Sequence, residues 1–215
     1  IRGAALRKKM KEKIRAEILN KRTGLTPGQI RSKSGRIVDR LIGLDIFEKA
    51  GTVMLYVSRK SEVATGRLIE TAIAAGKKVT VPVSREEGRR LLPVVIDNPE
   101  KDLSPGSRGI MEPEISPEKY LHPGELDLVV LPGIAFDPAG NRIGRGAAFY
   151  DTFLKTVGPK TMKIALAFEC QLVDAILPSR HDVPINIIVT EKRVIDCSQT
   201  KPRRKKSSGG DETED

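Results

Sequence analysis

The sequence predicts an α/β fold in which a mostly parallel sheet is covered by helices on both faces. Short apolar segments alternate with amphipathic segments along the chain, the order expected of strand–helix units. The apolar segments are nearly continuous, as in Leu128–Leu131, which is typical of strands buried on both faces. No repeat or linker interrupts residues 1–198, so we expect a single domain there. Residues 199–215 contain no hydrophobic residue and are expected to form a disordered charged tail.

Five segments have the spacing of amphipathic helices. Apolar residues recur at every fourth position from Leu6 to Ile18, which predicts a first helix over residues 4–22 with this face turned inward. Thr26 and Pro27 supply an N-cap and a first-turn proline for a second helix. A third helix over residues 63–75 should end at Gly76, and shorter helices are expected over about 146–157 and 171–177.

The remaining apolar segments predict strands at residues 52–58, 78–83, 91–96, 126–131, 162–168, 185–190 and 193–196. In an open sheet of this kind, ligands bind beyond the carboxyl ends of the strands. The loop at residues 58–62 follows the first strand, and a long loop ending at residues 140–151 follows the fourth. We therefore expect the binding site to be built from these two loops.

The positive charge is concentrated at the start of the chain. The formal net charge is +10, and residues 1–40 contain 13 Lys and Arg against 3 Asp and Glu. Residues 41–200 contain 20 Lys and Arg against 21 Asp and Glu, so the body of the protein is nearly neutral. A basic nucleic-acid-binding module is one interpretation. It lacks support because the basic segment has no interleaved aromatic residues and no recognisable nucleic-acid-binding motif.

Composition also excludes several other classes of protein. The longest apolar runs are far shorter than the ~20 residues of a membrane-spanning helix, so we expect no membrane association. Two cysteines without CxxC spacing and two histidines disfavour a disulfide scaffold and a zinc site. A reducing compartment, most simply the cytoplasm, fits this composition.

The long loop has the composition of an anion-binding site. Gly144 and Gly146 permit close approach of the backbone to a ligand, and the start of the following helix adds free N–H groups. Arg142 and Arg145 supply positive charge. The loop lacks the Walker motif and the third glycine of a dinucleotide fingerprint. A tight turn with solvated arginines is the alternative interpretation.

Three acidic residues are candidates for ligand or metal binding. Asp151 follows the loop closely enough to hold Mg²⁺ against bound phosphates, and Asp182 is a possible second ligand. Glu62 lies in the loop after the first strand. Taken alone, Asp151 and Asp182 are better explained as ordinary helix or turn carboxylates, and Glu62 is equally well explained as a carboxylate near a helix N-cap. Lys11 and Arg15 are spaced i, i+4 on one helix face, which suits either a polyphosphate or plain solvation.

Four motifs occur in order along the chain: Lys11-x-x-x-Arg15 followed by Leu25-Thr26, Tyr56-Val-Ser-x-x-x-Glu62-Val-x-Thr65, Leu131-Pro-Gly-Ile-Ala-Phe-Asp137 with Gly144-Arg-Gly-x-x-Phe-Tyr-Asp151, and His181-Asp-Val-Pro184. Together they resemble the 5-formyltetrahydrofolate cyclo-ligase (5,10-methenyltetrahydrofolate synthetase) family over about residues 5–196. The third motif is the most specific. The resemblance implies a Rossmann-like sandwich similar to the NagB/RpiA/CoA-transferase group. It also implies ATP- and Mg²⁺-dependent conversion of 5-formyltetrahydrofolate to 5,10-methenyltetrahydrofolate through a phosphorylated formyl intermediate. We expect the protein to be a monomer and its folate substrate to include polyglutamylated forms.

The resemblance also assigns site residues. It places the ATP phosphates against Lys11, Arg15, Arg142, Ile143, Gly144, Arg145, Gly146, Ala147, Ala148, Phe149 and Tyr150. It places the folate against Val57, Glu62, Arg145, Gly146, Ala147, Ala148 and Phe149. Magnesium would be held by Asp151 and Asp182, and Arg145 and Asp151 would be the catalytic residues.

One position departs from the family's motif. The loop usually reads Arg-Gly-x-Gly, whereas Ala148 stands at the position of the second glycine. If this position requires positive φ, alanine costs of order 1 kcal/mol or more; if it already lies in the first helical turn, alanine is harmless. A folate- or nucleotide-binding protein with weakened catalysis is therefore an alternative function.

Overall fold

The computed structural model describes residues 2–106 and 109–199, with a seven-stranded mixed sheet at its centre. The chain begins with helices α1 (Arg2–Thr23), α2 (Pro27–Ile42) and α3 (Asp45–Lys49). It continues with β1 (Thr52–Met54), α4 (Gly66–Ala74) and the hairpin of β2 (Lys78–Arg85) and β3 (Arg90–Ile96). A peripheral segment follows, with α5 (Pro99–Asp102), β4 (Leu103–Pro105) and β5 (Met111–Pro113). The expected tail from residue 200 onward lies outside the described residues.

The second half of the chain completes the sheet. It contains β6 (Leu128–Leu131), a small hairpin of β7 (Ala135–Phe136) and β8 (Arg142–Ile143), and the short helix α6 (Phe149–Phe153). Strands β9 (Met162–Leu166), β10 (Ile187–Val189) and β11 (Val194–Asp196) follow. The strand order is β11-β10-β9-β6-β1-β2-β3. All central pairs are parallel, and only the edge strands β3 and β11 run antiparallel to their neighbours.

The predicted mostly parallel sheet with both faces covered is confirmed, and β6 illustrates the reason. Leu128 and Val130 belong to the hydrophobic cluster beneath α2, α3 and α4. Val129 and Leu131 point to the opposite face, into the cluster that includes Phe149 and Phe153 of α6. A strand buried on both faces needs apolar side chains at every position, which accounts for its unbroken run of Leu and Val.

Local signals at the ends of α2 and α4 act as predicted. Thr26 accepts a hydrogen bond from the backbone N–H of Gln29, and the Gln29 side chain accepts one from the Thr26 backbone N–H. This reciprocal capping box satisfies two N–H groups that the helix would otherwise leave unpaired. Gly76 adopts a φ of 74° just beyond α4, where a residue with a side chain would be strained.

Several predicted boundaries are wrong. The helix expected over residues 146–157 is confined to Phe149–Phe153, and the one expected over 171–177 is a single 3-10 turn at Glu169–Gln171. Strand β1 ends at Met54 because the chain then leaves the sheet to form a loop. Leu6 and Met10 are 60% and 43% exposed, so only the C-terminal half of α1 uses its apolar face for packing. No helix in the described part of the chain has both the length and the apolar character needed to span a bilayer.

Replacing Thr26 by alanine should lower the free energy of unfolding by about 1 kcal/mol, because the Gln29 N–H loses its acceptor. Urea denaturation followed by circular dichroism measures the change. Ser32→Ala, at an exposed position inside α2, is the matched control and should change the free energy of unfolding by less than about 0.5 kcal/mol. Equal effects of the two substitutions would contradict the role of the cap.

Candidate functional site

The candidate site lies where the strand order reverses direction. From β1 the chain proceeds through β2 to β3 on one side of the sheet, whereas from β6 it proceeds through β9 to β10 and β11 on the other. Strands β1 and β6 are parallel neighbours, with Val53 opposite Leu128. The loops leaving their carboxyl ends therefore separate and leave a crevice between them, the usual ligand-binding position in such sheets.

The pocket in this crevice brings together all of the residues that the sequence analysis singled out. Its lining comes from six regions: α1, the loop after β1, the edge of the β2–β3 hairpin, the segment around β5, the chain from the end of β6 to α6, and the loop before β10. The lining residues are Lys11, Arg15, Tyr56, Val57, Arg59, Glu62, Pro82, Ser84, Leu91, Ile110, Glu112, Pro132, Gly133, Ile134, Arg142, Ile143, Gly144, Arg145, Gly146, Ala147, Ala148, Phe149, Tyr150, Asp151 and Asp182. These residues include no His and no Cys.

An ion pair between Arg145 and Glu62 connects the two loops across the pocket. Nη2 of Arg145 lies 2.9 Å from Oε1 of Glu62. The Glu62 side chain is 9% exposed, and its Oε2 also accepts a hydrogen bond from the backbone N–H of Arg59. The Arg145 side chain is 47% exposed, so its attraction to Glu62 is partly screened and the guanidinium can exchange partners at little cost.

Helix α1 contributes two cations to the same pocket. Nζ of Lys11 lies 2.5 Å from Oδ2 of Asp182, which also accepts a hydrogen bond from the Ser179 backbone N–H. Nε of Arg15 donates to the carbonyl oxygen of Gly144 at 3.1 Å. The i, i+4 spacing places both side chains on one face of α1, as predicted, with Arg15 on the glycine-containing loop and Lys11 on the loop that contains Asp182.

Arg142 is buried beneath the pocket surface and contacts Asp151. Its side chain is 5% exposed, with Nη2 at 3.1 Å from Oδ1 of Asp151 and the guanidinium 5.5 Å from the centre of the Tyr150 ring. The Asp151 side chain is 27% exposed. The carboxylate therefore faces the pocket while the arginine behind it fixes its orientation.

The β7–β8 hairpin positions this arginine, and the sequence analysis missed it as a structural element. Asp137 is 2% exposed. Its carboxylate accepts hydrogen bonds from the Asn141 backbone N–H, the Asn141 side chain and the Ile176 backbone N–H. A buried carboxylate with three donors fixes the turn between the two strands. The signal for this turn was Asp137-Pro-Ala-Gly140, in which Gly140 has a φ of 85°.

Ala148 has the left-handed conformation that its motif reserves for glycine. Its φ and ψ are 57° and 13°, and it precedes the first residue of α6. The sequence left open whether this position lies inside the helix. In the structure Ala148 precedes the helix, and its left-handed backbone conformation costs about 1 kcal/mol because alanine has a methyl group.

The five-residue helix α6 changes the expected source of positive potential. A helix this short has only a weak dipole, so anion binding depends chiefly on side-chain cations and on loop N–H groups.

The two pocket tyrosines do not act as acid–base groups at neutral pH. Burial raises the pKa of Tyr56 well above its ordinary value, and burial likewise raises that of Tyr150, so both hydroxyls stay protonated at neutral pH.

The model of the 5-formyltetrahydrofolate cyclo-ligase family matches residues 7–191, a span that includes every one of these pocket residues. The chain belongs to this family. As a 5-formyltetrahydrofolate cyclo-ligase it is similar to the enzyme of that name from Haemophilus influenzae, with 32% identity over 81% of this chain and 94% of the relative. The mouse cyclo-ligase is 29% identical over 84% of this chain and 93% of its own length.

Solved structures of cyclo-ligase relatives have the same fold. The 5,10-methenyltetrahydrofolate synthetase of Aquifex aeolicus superposes with a TM-score of 0.78 at 29% identity, covering 94% of this chain and 100% of that one. The synthetase of Mycoplasma pneumoniae gives a TM-score of 0.68 at 20% identity, covering 84% of this chain and 98% of that one. The predicted family and fold class are both confirmed.

Sequence analysis missed several residues that shape the pocket. Pro82, Ser84 and Leu91 enter it because β2 and β3 extend as a long hairpin past the end of β1. Arg22 and Gln171 lie behind the pocket wall and both donate to the carbonyl oxygen of Gly133, at 3.0 and 2.9 Å. No motif marked these two residues, because their roles depend on contacts across more than 30 positions of sequence.

Replacing Ala148 by glycine should raise the melting temperature, because glycine adopts φ of 57° without strain. The gain in the free energy of unfolding should be a few tenths to about 1 kcal/mol, since strain relief exceeds the added entropy of the unfolded chain. Differential scanning calorimetry measures it. Ala147→Gly is the matched control: its φ is not positive, so the same substitution should lower stability by about 0.4–1 kcal/mol. Destabilisation by both would show that Ala148 is unstrained.

Proposed function

We propose that this pocket binds MgATP and 5-formyltetrahydrofolate together and activates the formyl oxygen by phosphorylation. The observation that carries the proposal is that one pocket contains side chains from three parts of the chain. These are Arg145 and Asp151, from the loop after β8 and from α6; Glu62, from the loop after β1; and Lys11 and Arg15, from α1. Cations suited to phosphates and a carboxylate suited to a neutral heterocycle thus border one crevice.

The nucleotide half of the pocket is assigned to α1 and the glycine-containing loop. Arg15 contacts Gly144 and Lys11 lines the same pocket, where Gly144 and Gly146 leave room for phosphate oxygens beside the backbone. The exposed Arg145 guanidinium can turn from Glu62 to the γ-phosphate. Arg142 is assigned a supporting role, because its buried guanidinium orients Asp151. The backbone from Ile143 to Tyr150 is assigned to the same nucleotide site.

The folate half is assigned to the opposite wall. Val57 and Glu62 border the pocket beside the apolar surface of Leu91 and Phe149. A pterin ring requires apolar contact on its faces and an acceptor for its ring N–H groups. The Glu62 carboxylate, oriented by the Arg59 backbone N–H, supplies that acceptor. Residues 145–149 lie between the two halves, so they border both substrates.

The acidic residues fit a magnesium ion that accompanies ATP. Mg²⁺ usually takes one or two protein carboxylates and completes its octahedron with phosphate oxygens and water. Asp151 and Asp182 line the pocket with side chains 27% and 24% exposed, and the hydrogen bonds described for each carboxylate use one of its two oxygens. Within the described residues no cluster of three or more His, Cys, Asp or Glu forms a closed metal cage. When bound, the ion would neutralise charge on the phosphates.

The chemistry requires positioning and charge neutralisation rather than an acid–base residue. The formyl oxygen on N5 attacks the γ-phosphorus, and the bond from that phosphorus to the ADP oxygen breaks. N10 then attacks the activated formyl carbon, phosphate leaves with the former formyl oxygen, and the N10 proton is released. ATP supplies the leaving group in both steps, so a pocket lined by Arg and Lys without His or Cys is sufficient.

A cytoplasmic location and a monomeric state complete the proposal. The location rests on two cysteines without CxxC spacing, and the monomeric state on the few large apolar side chains that are exposed among the described residues, such as Leu6 and Leu177. One relative, from Arabidopsis thaliana, is named as a mitochondrial cyclo-ligase.

Arg145→Ala and Asp151→Ala should each lower turnover at least 100-fold, because each removes a charge assigned to the transferred phosphoryl group. ATP-dependent formation of 5,10-methenyltetrahydrofolate, followed by its near-ultraviolet absorbance, measures turnover, and circular dichroism verifies folding. Arg36→Ala, an exposed arginine on α2, should leave turnover unchanged. Near-normal rates in both pocket variants would refute the residue assignments, and an inactive, folded wild type would refute the reaction.

Removal of divalent cations with a chelator should abolish turnover, and added Mg²⁺ should restore it. Asp151→Asn should raise the Mg²⁺ concentration for half-maximal activity at least tenfold, because the amide is a weaker ligand for a hard cation. Asp174→Asn, at an exposed position outside the pocket, is the control and should keep the wild-type magnesium dependence. An unchanged magnesium dependence in Asp151→Asn would exclude this carboxylate as a ligand.

A further inference from the structure

Arg22 is the largest fully buried side chain in the described part of the chain, and its position is unusual for a cation. Its residue exposure is 1%. Nη1 donates to the carbonyl oxygen of Gly133, whereas Nε is buried without a hydrogen-bond partner. Among the residues that the structure describes, no carboxylate is ion-paired with it. Burying a charged group without a paired carboxylate is costly.

The hydrogen bond to Gly133 does not account for the charge. Gln171, itself 1% exposed, already donates to the same carbonyl oxygen at 2.9 Å, so the carbonyl would remain satisfied without Arg22. A neutral side chain at position 22 would therefore leave no acceptor unpaired and would remove an unpaired buried cation. Packing and hydrogen bonding alone favour a neutral residue here.

The Arg22 side chain lies on the face of α1 that borders the pocket. At 100° per residue, Lys11, Arg15 and Arg22 lie within a stripe about 40° wide on one face of the helix. Lys11 and Arg15 reach the pocket from that stripe, and Arg22 reaches its floor, since Gly133 is a lining residue. One peptide group therefore separates the buried guanidinium from the ligand space.

Glu62 and Arg145, the pair on which ligand exchange depends, are among the pocket residues that interact electrostatically with Arg22. Burial lowers the pKa of Arg22, whereas attraction to Glu62 opposes that change and repulsion from Arg145 reinforces it. If Arg145 turns to a phosphate, Glu62 loses its ion-pair partner while it remains 8% exposed. A fixed cation behind the wall compensates for that loss.

We infer that Arg22 is a positioning residue whose buried charge stabilises the pocket when Arg145 leaves Glu62 to bind the phosphates of the nucleotide. The inference rests on the proposed function of the pocket. The positive potential of Arg22 adds to that of Lys11 and Arg15, and it is weakly screened because the residue is only 1% exposed. Removal of the charge should therefore weaken nucleotide binding without weakening the fold.

The test measures nucleotide affinity and stability in the same set of variants of the full chain. Isothermal titration calorimetry with a non-hydrolysable ATP analogue and Mg²⁺ gives the dissociation constant, and calorimetric melting gives the stability. Arg22→Met and Arg22→Gln remove the charge, and the glutamine variant keeps a hydrogen-bond donor. Arg22→Lys keeps both, and Lys21→Met removes a neighbouring exposed cation of α1 that is paired with Glu17.

We expect dissociation constants about tenfold higher for Arg22→Met and Arg22→Gln, and near wild type for Arg22→Lys and Lys21→Met. The melting temperature of Arg22→Met should be unchanged or higher. Wild-type affinity in Arg22→Met or Arg22→Gln would overturn the inference. Loss of affinity together with loss of stability in Arg22→Met would also overturn it, in favour of a structural role. A folded wild type that does not bind the analogue would instead refute the proposed nucleotide site, and with it the role of Arg22.

Discussion

The parallel pairing of β1 with β6 is the constraint from which the rest of the site follows. Because Val53 lies opposite Leu128 and Met54 opposite Val129, both strands end at one edge of the sheet. The strand order then reverses, so the chain after β1 crosses to one side and the chain after β6 crosses to the other. Glu62 and Arg145 are separated by 83 positions in sequence and meet only because of this arrangement.

Helix α1 is fixed to that edge through its second half. Ile18 is 1% exposed and belongs to a small apolar cluster with Ile134 and Ile143 of the β7–β8 region. The apolar contact supplies the affinity of the helix for the sheet, while the polar groups on the same stripe define its rotation. The functional cations are thus carried by an element whose position depends on an ordinary hydrophobic contact.

Much of the fold could be predicted from the sequence, because neighbouring residues determine many of its elements. The unbroken apolar run of β6, the Thr26–Pro27 cap and the glycine beyond α4 are each determined by neighbouring residues, and each has its predicted structure. The helix and strand boundaries that were predicted wrongly lie where long-range contacts determine the structure. Strand β1 stops at Met54 because the chain must turn into the pocket, and α6 begins late because Ala148 is left-handed.

The candidate site likewise combines residues that could be predicted from local sequence with contacts that could not. Lys11, Arg15, Glu62, Arg145 and Asp151 were predicted because they lie in recognisable motifs, but their partners were not. Nothing local indicates that Arg142 is buried behind Asp151, or that Arg22 lies beneath Gly133. Such contacts depend on how a loop and a helix pack onto the sheet edge, which residue spacing alone does not determine.

The three ion pairs in the crevice have a consequence for ligand selectivity. Lys11 with Asp182, Arg142 with Asp151 and Arg145 with Glu62 leave the empty pocket close to electrically balanced. An anion that binds one of these paired cations displaces its carboxylate, and a cation that binds one of these carboxylates displaces its basic partner. A ligand that contains both phosphates and a metal ion can pair its phosphates with the basic residues and its metal ion with the carboxylates. On the proposed function, the charge pairing already present in the pocket thus favours a metal–nucleotide complex over a single ion.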